Sequence, residues 1–109
     1  VTVKLNVFID EQMQQVEVPD DMMQDAEEFF ARMDADMDKG WQMSREWIEN
    51  PNTEQRCQIA ADRMLTAIMQ ENENTKILMA GYILSRMPKA TDVRIDTSGE
   101  ILGTEFIAY

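Results

Sequence analysis

The sequence predicts an α+β domain with elements in the order β-β-α-α-α-β-β. An antiparallel sheet made of an N-terminal and a C-terminal hairpin packs against three helices. Three observations predict this. Residues 2–9 alternate apolar and polar side chains with period two. Beyond Pro19 the apolar residues recur at three- and four-residue spacing as far as Met87. Beyond Pro88 the alternation returns. The 109 residues suit a single domain over 1–109.

In the first hairpin, Val3, Leu5, Val7 and Ile9 point one way, and Val16 and Val18 continue the pattern. Strands over 2–9 and 13–18 are expected, joined by the polar turn Asp10-Glu11-Gln12 and closed by Pro19. Asp20 or Asp21 then caps a helix and puts carboxylates at the positive end of its dipole. Phe29, Met33, Met37 and Trp41 recur at every fourth position, and Ser44 and Ile48 extend the stripe. The spacing predicts a helix over 21–49, with Gly40 as a point where it could break and Pro51 as its stop. Asn52 or Thr53 caps a second helix, which carries Cys57, Ala60, Ala61, Met64, Leu65 and Ile68 on one face. Asn72 to Thr75 forms a break with a fresh cap. Residues 77–84 are apolar nearly all round, and the helix continues to Met87. In the last hairpin, Val93, Ile95 and Thr97 alternate with Arg94 and Asp96. Ser98-Gly99 is the expected turn, and 100–108 the return strand.

Composition narrows the chemistry. With no histidine, the chain lacks Ser-His-Asp and Cys-His triads, histidine metal sites and histidine pH switches. One cysteine, Cys57, excludes an intrachain disulfide and multi-cysteine zinc sites. No apolar run follows a basic stretch as in a signal peptide, and 77–84 is far shorter than the ~20 residues that span a bilayer. A soluble, cytoplasmic protein is expected.

The net charge is −11. Eleven Asp or Glu and one basic residue, Arg32, fall within 10–38. Such a field repels nucleic-acid phosphates and anionic lipid and attracts cations or basic protein surfaces. Plain solubility, or a halophile-like surface, is the competing account of the same charge.

Asp34, Asp36 and Asp38, followed by Gly40, resemble the start of an EF-hand calcium loop, in which oxygen ligands at positions 1, 3 and 5 precede a glycine at 6 and a glutamate at 12. Counted from Asp34, position 6 is Lys39 and position 12 is Arg45; Gly40 and Glu46 each come one residue late. On a continuous helix, Asp34 and Asp38 share a face and Asp36 points nearly opposite. The helix is therefore weighed above the metal loop.

Trp41 belongs to the apolar stripe. Trp47, four residues after Met43, falls on an offset face, and apolar cover on two sides of one helix leaves room for a homodimer. Among the ten methionines, Met33 and Met37 have the spacing of a thioether copper site, with core packing the favoured role. Cys57 is expected to be buried and inert. Pairs such as Asp20-Asp21 and Glu27-Glu28 could act as acid and base, but 21 acidic residues make such pairs by chance.

The expectation that follows is a small, non-catalytic adaptor or regulatory domain, with no cofactor. Its acidic surface over 20–38 (Asp20, Asp21, Asp25, Glu27, Glu28, Asp34 and Asp38) would meet a basic protein surface. It would bind neither nucleic acid nor membrane directly. The alternatives are a divalent-cation binder using Asp34, Asp36 and Asp38, a mimic of the nucleic-acid backbone, and a carboxylate-dependent enzyme.

Overall fold

The computed structural model describes residues 2–108. Strands β1 (Thr2–Ile9) and β2 (Gln12–Pro19) pair antiparallel about the two-residue turn Asp10-Glu11, with Asp10 at φ 56°. Leu5, Val7, Val16 and Val18 are buried on one face of this hairpin, as the alternation requires. Helix α1 (Asp20–Asp25) follows at once. Its N-cap is Pro19, and Asp20 and Asp21 lie in its first turn rather than capping it. Helix α2 (Glu27–Asp38) buries Phe30, Met33 and Met37.

The expected helix over 21–49 is thus three pieces. Ala26 separates α1 from α2, and α2 stops at Asp38. Gly40 takes φ +103°, a conformation open to glycine, and its N–H donates to the Met37 carbonyl at 3.0 Å. Residues 41–48 then form a small hairpin, β3 (Trp41–Met43) with β4 (Glu46–Ile48). The fourfold stripe ran on past the helix because Trp41 and Ile48 pack against the core from strands. The Ser44 hydroxyl ties this hairpin to the C-terminal loop, donating to the Gly99 carbonyl and accepting from the Ile101 N–H.

Helix α3 (Thr53–Met69) starts with a capping box, in which Asn52 and Gln55 each satisfy the other's backbone N–H. Helix α4 (Glu73–Arg86) is capped by Asn72. These two make the most extensive helix–helix contact. Gly81 lets α4 lie close to its neighbours, since a Cβ there would sit 3.1 Å from the Phe30 ring.

Strand β5 (Ala90–Ile95) and strand β6 (Glu105–Ala108) complete a sheet of order β2-β1-β5-β6. The α+β class and the hairpins at either end are as predicted, but the middle of the sheet is parallel, with Val7 opposite Val93. The chain enters β5 after a long helical crossover, which is what a parallel neighbour needs. The second hairpin also lacks the tight turn expected at Ser98-Gly99. Asp96 holds the loop open by accepting from the N–H groups of Ser98 and Glu100, a 3-10 turn spans Ile101–Gly103, and the return strand is only four residues long. The helices cover one face of the sheet, while Lys4, Gln15, Glu17 and Arg94 stand exposed on the other. No helix among the described residues is long and apolar enough to cross a membrane.

Candidate functional site

The acidic segment divides into two environments. In the first, α2 meets α3 and α4. Asp34 lies one turn beyond Phe30 on the inward side of α2 and is half-buried. The Tyr82 hydroxyl of α4 donates to its Oδ1 at 2.5 Å. Arg86 grips its Oδ2 through Nη2 at 2.7 Å and Nε at 3.1 Å. Arg56, in the first turns of α3, reaches Oδ1 at 3.3 Å and the Asp34 carbonyl at 3.1 Å. Arg56 also binds Asp38 at 2.6 Å, the Asn50 side chain at 2.9 Å and the Pro51 carbonyl at 2.7 Å. Arg86 binds Glu27 at 3.1 Å and lies over the rings of Tyr82 and Phe30. Three carboxylates and two guanidiniums thereby lock α2 to both long helices.

The charges of these groups follow from that geometry. Burial works to raise the Asp34 pKa, but the hydrogen bonds from Tyr82, Arg86 and Arg56 and the charge of Arg86 outweigh it and hold the carboxyl below its usual value. Burial pushes the Tyr82 phenol up, and the Asp34 carboxylate pushes it further. Burial lowers both arginine values, yet their carboxylate partners leave them raised, so both stay charged. A cleft of about 380 Å³ opens beside this cluster, lined by Asp34, Asn52, Thr53, Arg56, Tyr82 and Arg86. Its guanidinium donors are already spent on carboxylates and carbonyls, which leaves little for an incoming anion.

In the second environment, Asp20, Asp21 and Asp25 of α1 and Glu28 of α2 make no ion pair among the described residues. Asp21, Asp25 and Glu28 are exposed and Asp20 is half-exposed. Adjoining Asp20 and Asp21 is a largely apolar hollow of about 400 Å³ lined by Pro19, Met22, Asn74, Ile77 and Leu78. The surface expected over 20–38 is therefore reduced. Glu27, Asp34 and Asp38 are engaged by arginines, and the other four residues remain.

The calcium-type arrangement does not form. Asp34, Asp36 and Asp38 all lie in α2; Asp34 and Asp38 face Arg56, and Asp36 is exposed without an ion-pair partner among the described residues. No group of three or more potential metal ligands occurs among the described residues. Met33 and Met37 are core residues. Cys57 is fully buried, and burial pushes its thiol pKa up to about 12, far from a nucleophile's range. Trp41 packs against the core from β3. Trp47 is 57% exposed on β4, so the two-sided helix that suggested a homodimer is absent.

Sequence reasoning missed Arg56, Tyr82 and Arg86 as partners of the acidic helix. One signal was present: Asp34 and Asp38 share a helical face with each other and adjoin Met33 and Met37, so that face could not be wholly solvated. Comparisons of the chain with protein-family models, with curated proteins and with solved structures gave no match.

Proposed function

We propose that this is a non-catalytic interaction module that binds a basic surface of a partner protein through Asp20, Asp21, Asp25 and Glu28. One observation carries the reading. After the internal ion pairs are made, these four carboxylates have no ion-pair partner among the described residues of a molecule of net charge −11, and Asp20 and Asp21 adjoin the Pro19 and Met22 wall of an apolar hollow. Unpaired charge around an apolar patch is the usual anatomy of a docking surface, with the apolar part supplying affinity and the rim supplying steering and register. A cytoplasmic setting goes with this reading, supported by the single, buried thiol.

The test compares the wild-type chain with a variant carrying Asp20→Asn, Asp21→Asn, Asp25→Asn and Glu28→Gln. Each is immobilised and exposed to native lysate at low and at high salt. The expected partner is held by the wild type at low salt, released at high salt and not held by the variant. Partners retained equally at both salt concentrations, or equally by both proteins, would contradict the reading.

A further inference from the structure

We propose that the outer edge of β2 accepts an extended segment of a partner protein as a fifth strand, and that this segment alternates apolar with Lys or Arg side chains. The proposal rests on the acidic-surface reading only for the sign of the partner's charge.

The sheet ends at β2 on one side and at β6 on the other. β6 runs over four of the described residues, whereas β2 has eight, about 26 Å of strand. Natural edges are commonly blunted by lysine, by a bulge or by inward charge. β2 has no basic residue, and its register with β1 runs unbroken from Gln12 to Pro19. The two-residue turn decides which backbone groups are free. Ile9 and Gln12 flank it and form the narrow, hydrogen-bonded pair, so pairing alternates from there. Gln12, Gln14, Val16 and Val18 turn their N–H and C=O toward β1. Met13, Gln15 and Glu17 turn theirs outward. Pro19 falls on an outward position too, where its missing N–H costs no bond to β1. No other backbone hydrogen bond engages these outward groups among the described residues.

A groove accompanies the edge. Three hollows succeed one another between β2 and the helices. The first is floored by Leu65, Ile68 and Met69 at the level of Gln12 to Gln14. The second is bounded by Glu73 and Lys76 at the level of Gln15 to Glu17. The third is the Pro19 and Met22 hollow already described. An added strand would send alternate side chains into this groove and the others onto the open face of the sheet beside Glu17. The groove sides favour apolar side chains at its two ends.

Charge selects the occupant. Asp10 and Glu73 border the groove, Glu17 stands where it meets the open face, and Glu11, Asp20 and Asp21 flank its ends; the cations beside this edge among the described residues, Lys4 and Lys76, pair with Glu17 and Glu73. Edge-to-edge pairing of two copies would bring these acids together, so like-charge repulsion disfavours a second copy and favours a basic segment.

The experiment is an NMR titration of the full chain with an eight-residue peptide of alternating Lys and Val. The same peptide N-methylated at every second residue and an octalysine serve as comparisons. The alternating peptide is expected to slow amide hydrogen exchange at Met13, Gln15 and Glu17. N-methylation, or Gln15→Pro in the protein, is expected to weaken binding at least tenfold. Gln15→Pro removes an outward N–H together with the Gln15 side-chain hydrogen bond to Asn6, and unchanged amide signals in β1, α3 and α4 would verify that the variant folds. Equal binding of the methylated peptide would overturn strand addition. So would slowed exchange at Met13, Gln15 and Glu17 without peptide in a chain that sediments as a dimer. Octalysine shifting the α1 amides, while the alternating peptide leaves the β2 amides unprotected, would remove strand addition and keep the acidic-surface reading. Failure of both peptides at low salt would remove both.

Discussion

Helix α2 and the β2–α1 side of the molecule are equally acidic in sequence and opposite in use. From α2, Glu27, Asp34 and Asp38 turn toward Arg56 and Arg86 and become part of the packing between helices. From α1, Asp20, Asp21 and Asp25 find no cation among the described residues. The difference lies in what faces each helix. α2 lies over the first turns of α3 and the last turn of α4, where the arginines are. α1 packs on α4 around Gly81, where Met22 approaches, with its acids turned away. Runs of like charge therefore say little about a binding surface until their partners are known.

Asp34 is the carboxylate of α2 most deeply engaged by its neighbours. Asp34→Ala would leave the buried Tyr82 hydroxyl without its acceptor and Arg86 with Glu27 as its one remaining carboxylate among the described residues. A loss of about 3 kcal/mol is expected in urea unfolding, a large share of the stability of a domain this size. The effect has a pH signature. The folded carboxyl titrates below its ordinary value of 3.8, so its stabilisation is fully present above that value and disappears as pH falls through the folded pKa. The gap in stability between wild type and Asp34→Asn should be constant from about pH 7 to about pH 5 and should narrow below about pH 4. A gap that persisted to pH 2 would mean that the carboxylate charge is not what stabilises.

Gly40 separates the two uses of residues 34–48, ending α2 so that Asp38 faces Arg56 and the chain turns into β3. Its φ of +103° is strained for any side chain, and a Cβ would sit 2.5 Å from the Trp47 ring. Gly40→Ala should cost about 2 kcal/mol. Adding Trp47→Ala removes the collision but not the backbone strain, so the double variant should recover only part of the loss relative to Trp47→Ala alone. Full recovery would show that the left-handed conformation is not required.

Legibility in the sequence followed the range of the interactions. The first hairpin was legible because period-two alternation and a polar turn are local. The start of α3 was legible because Asn52 caps within its own first turn, and α4 likewise through Asn72. The helix end at Asp38 was obscured by Trp41 and Ile48, whose fourfold spacing imitates a helix while their side chains pack from strands. The parallel β1–β5 pairing and the inward turn of Asp34 could not be read locally. Arg56, Tyr82 and Arg86 lie 22, 48 and 52 residues from Asp34, and only the packed helices bring them together.

The smallest expected effect gives the sharpest contrast. The triple variant Asp20→Asn, Asp21→Asn, Asp25→Asn removes as many carboxylates as α2 commits to its arginines. On α1 the consequences oppose one another. Asp20 and Asp21 sit at the positive end of the helix dipole and are favourable there, whereas Asp25 sits at the negative end and is not. Removing three negative charges from a chain of −11 also relieves repulsion. The net change should stay within about 0.5 kcal/mol of wild type in the same unfolding measurement. A loss approaching that of Asp34→Ala would mean that these carboxylates are holding the fold together, and they would then no longer be free to receive a partner.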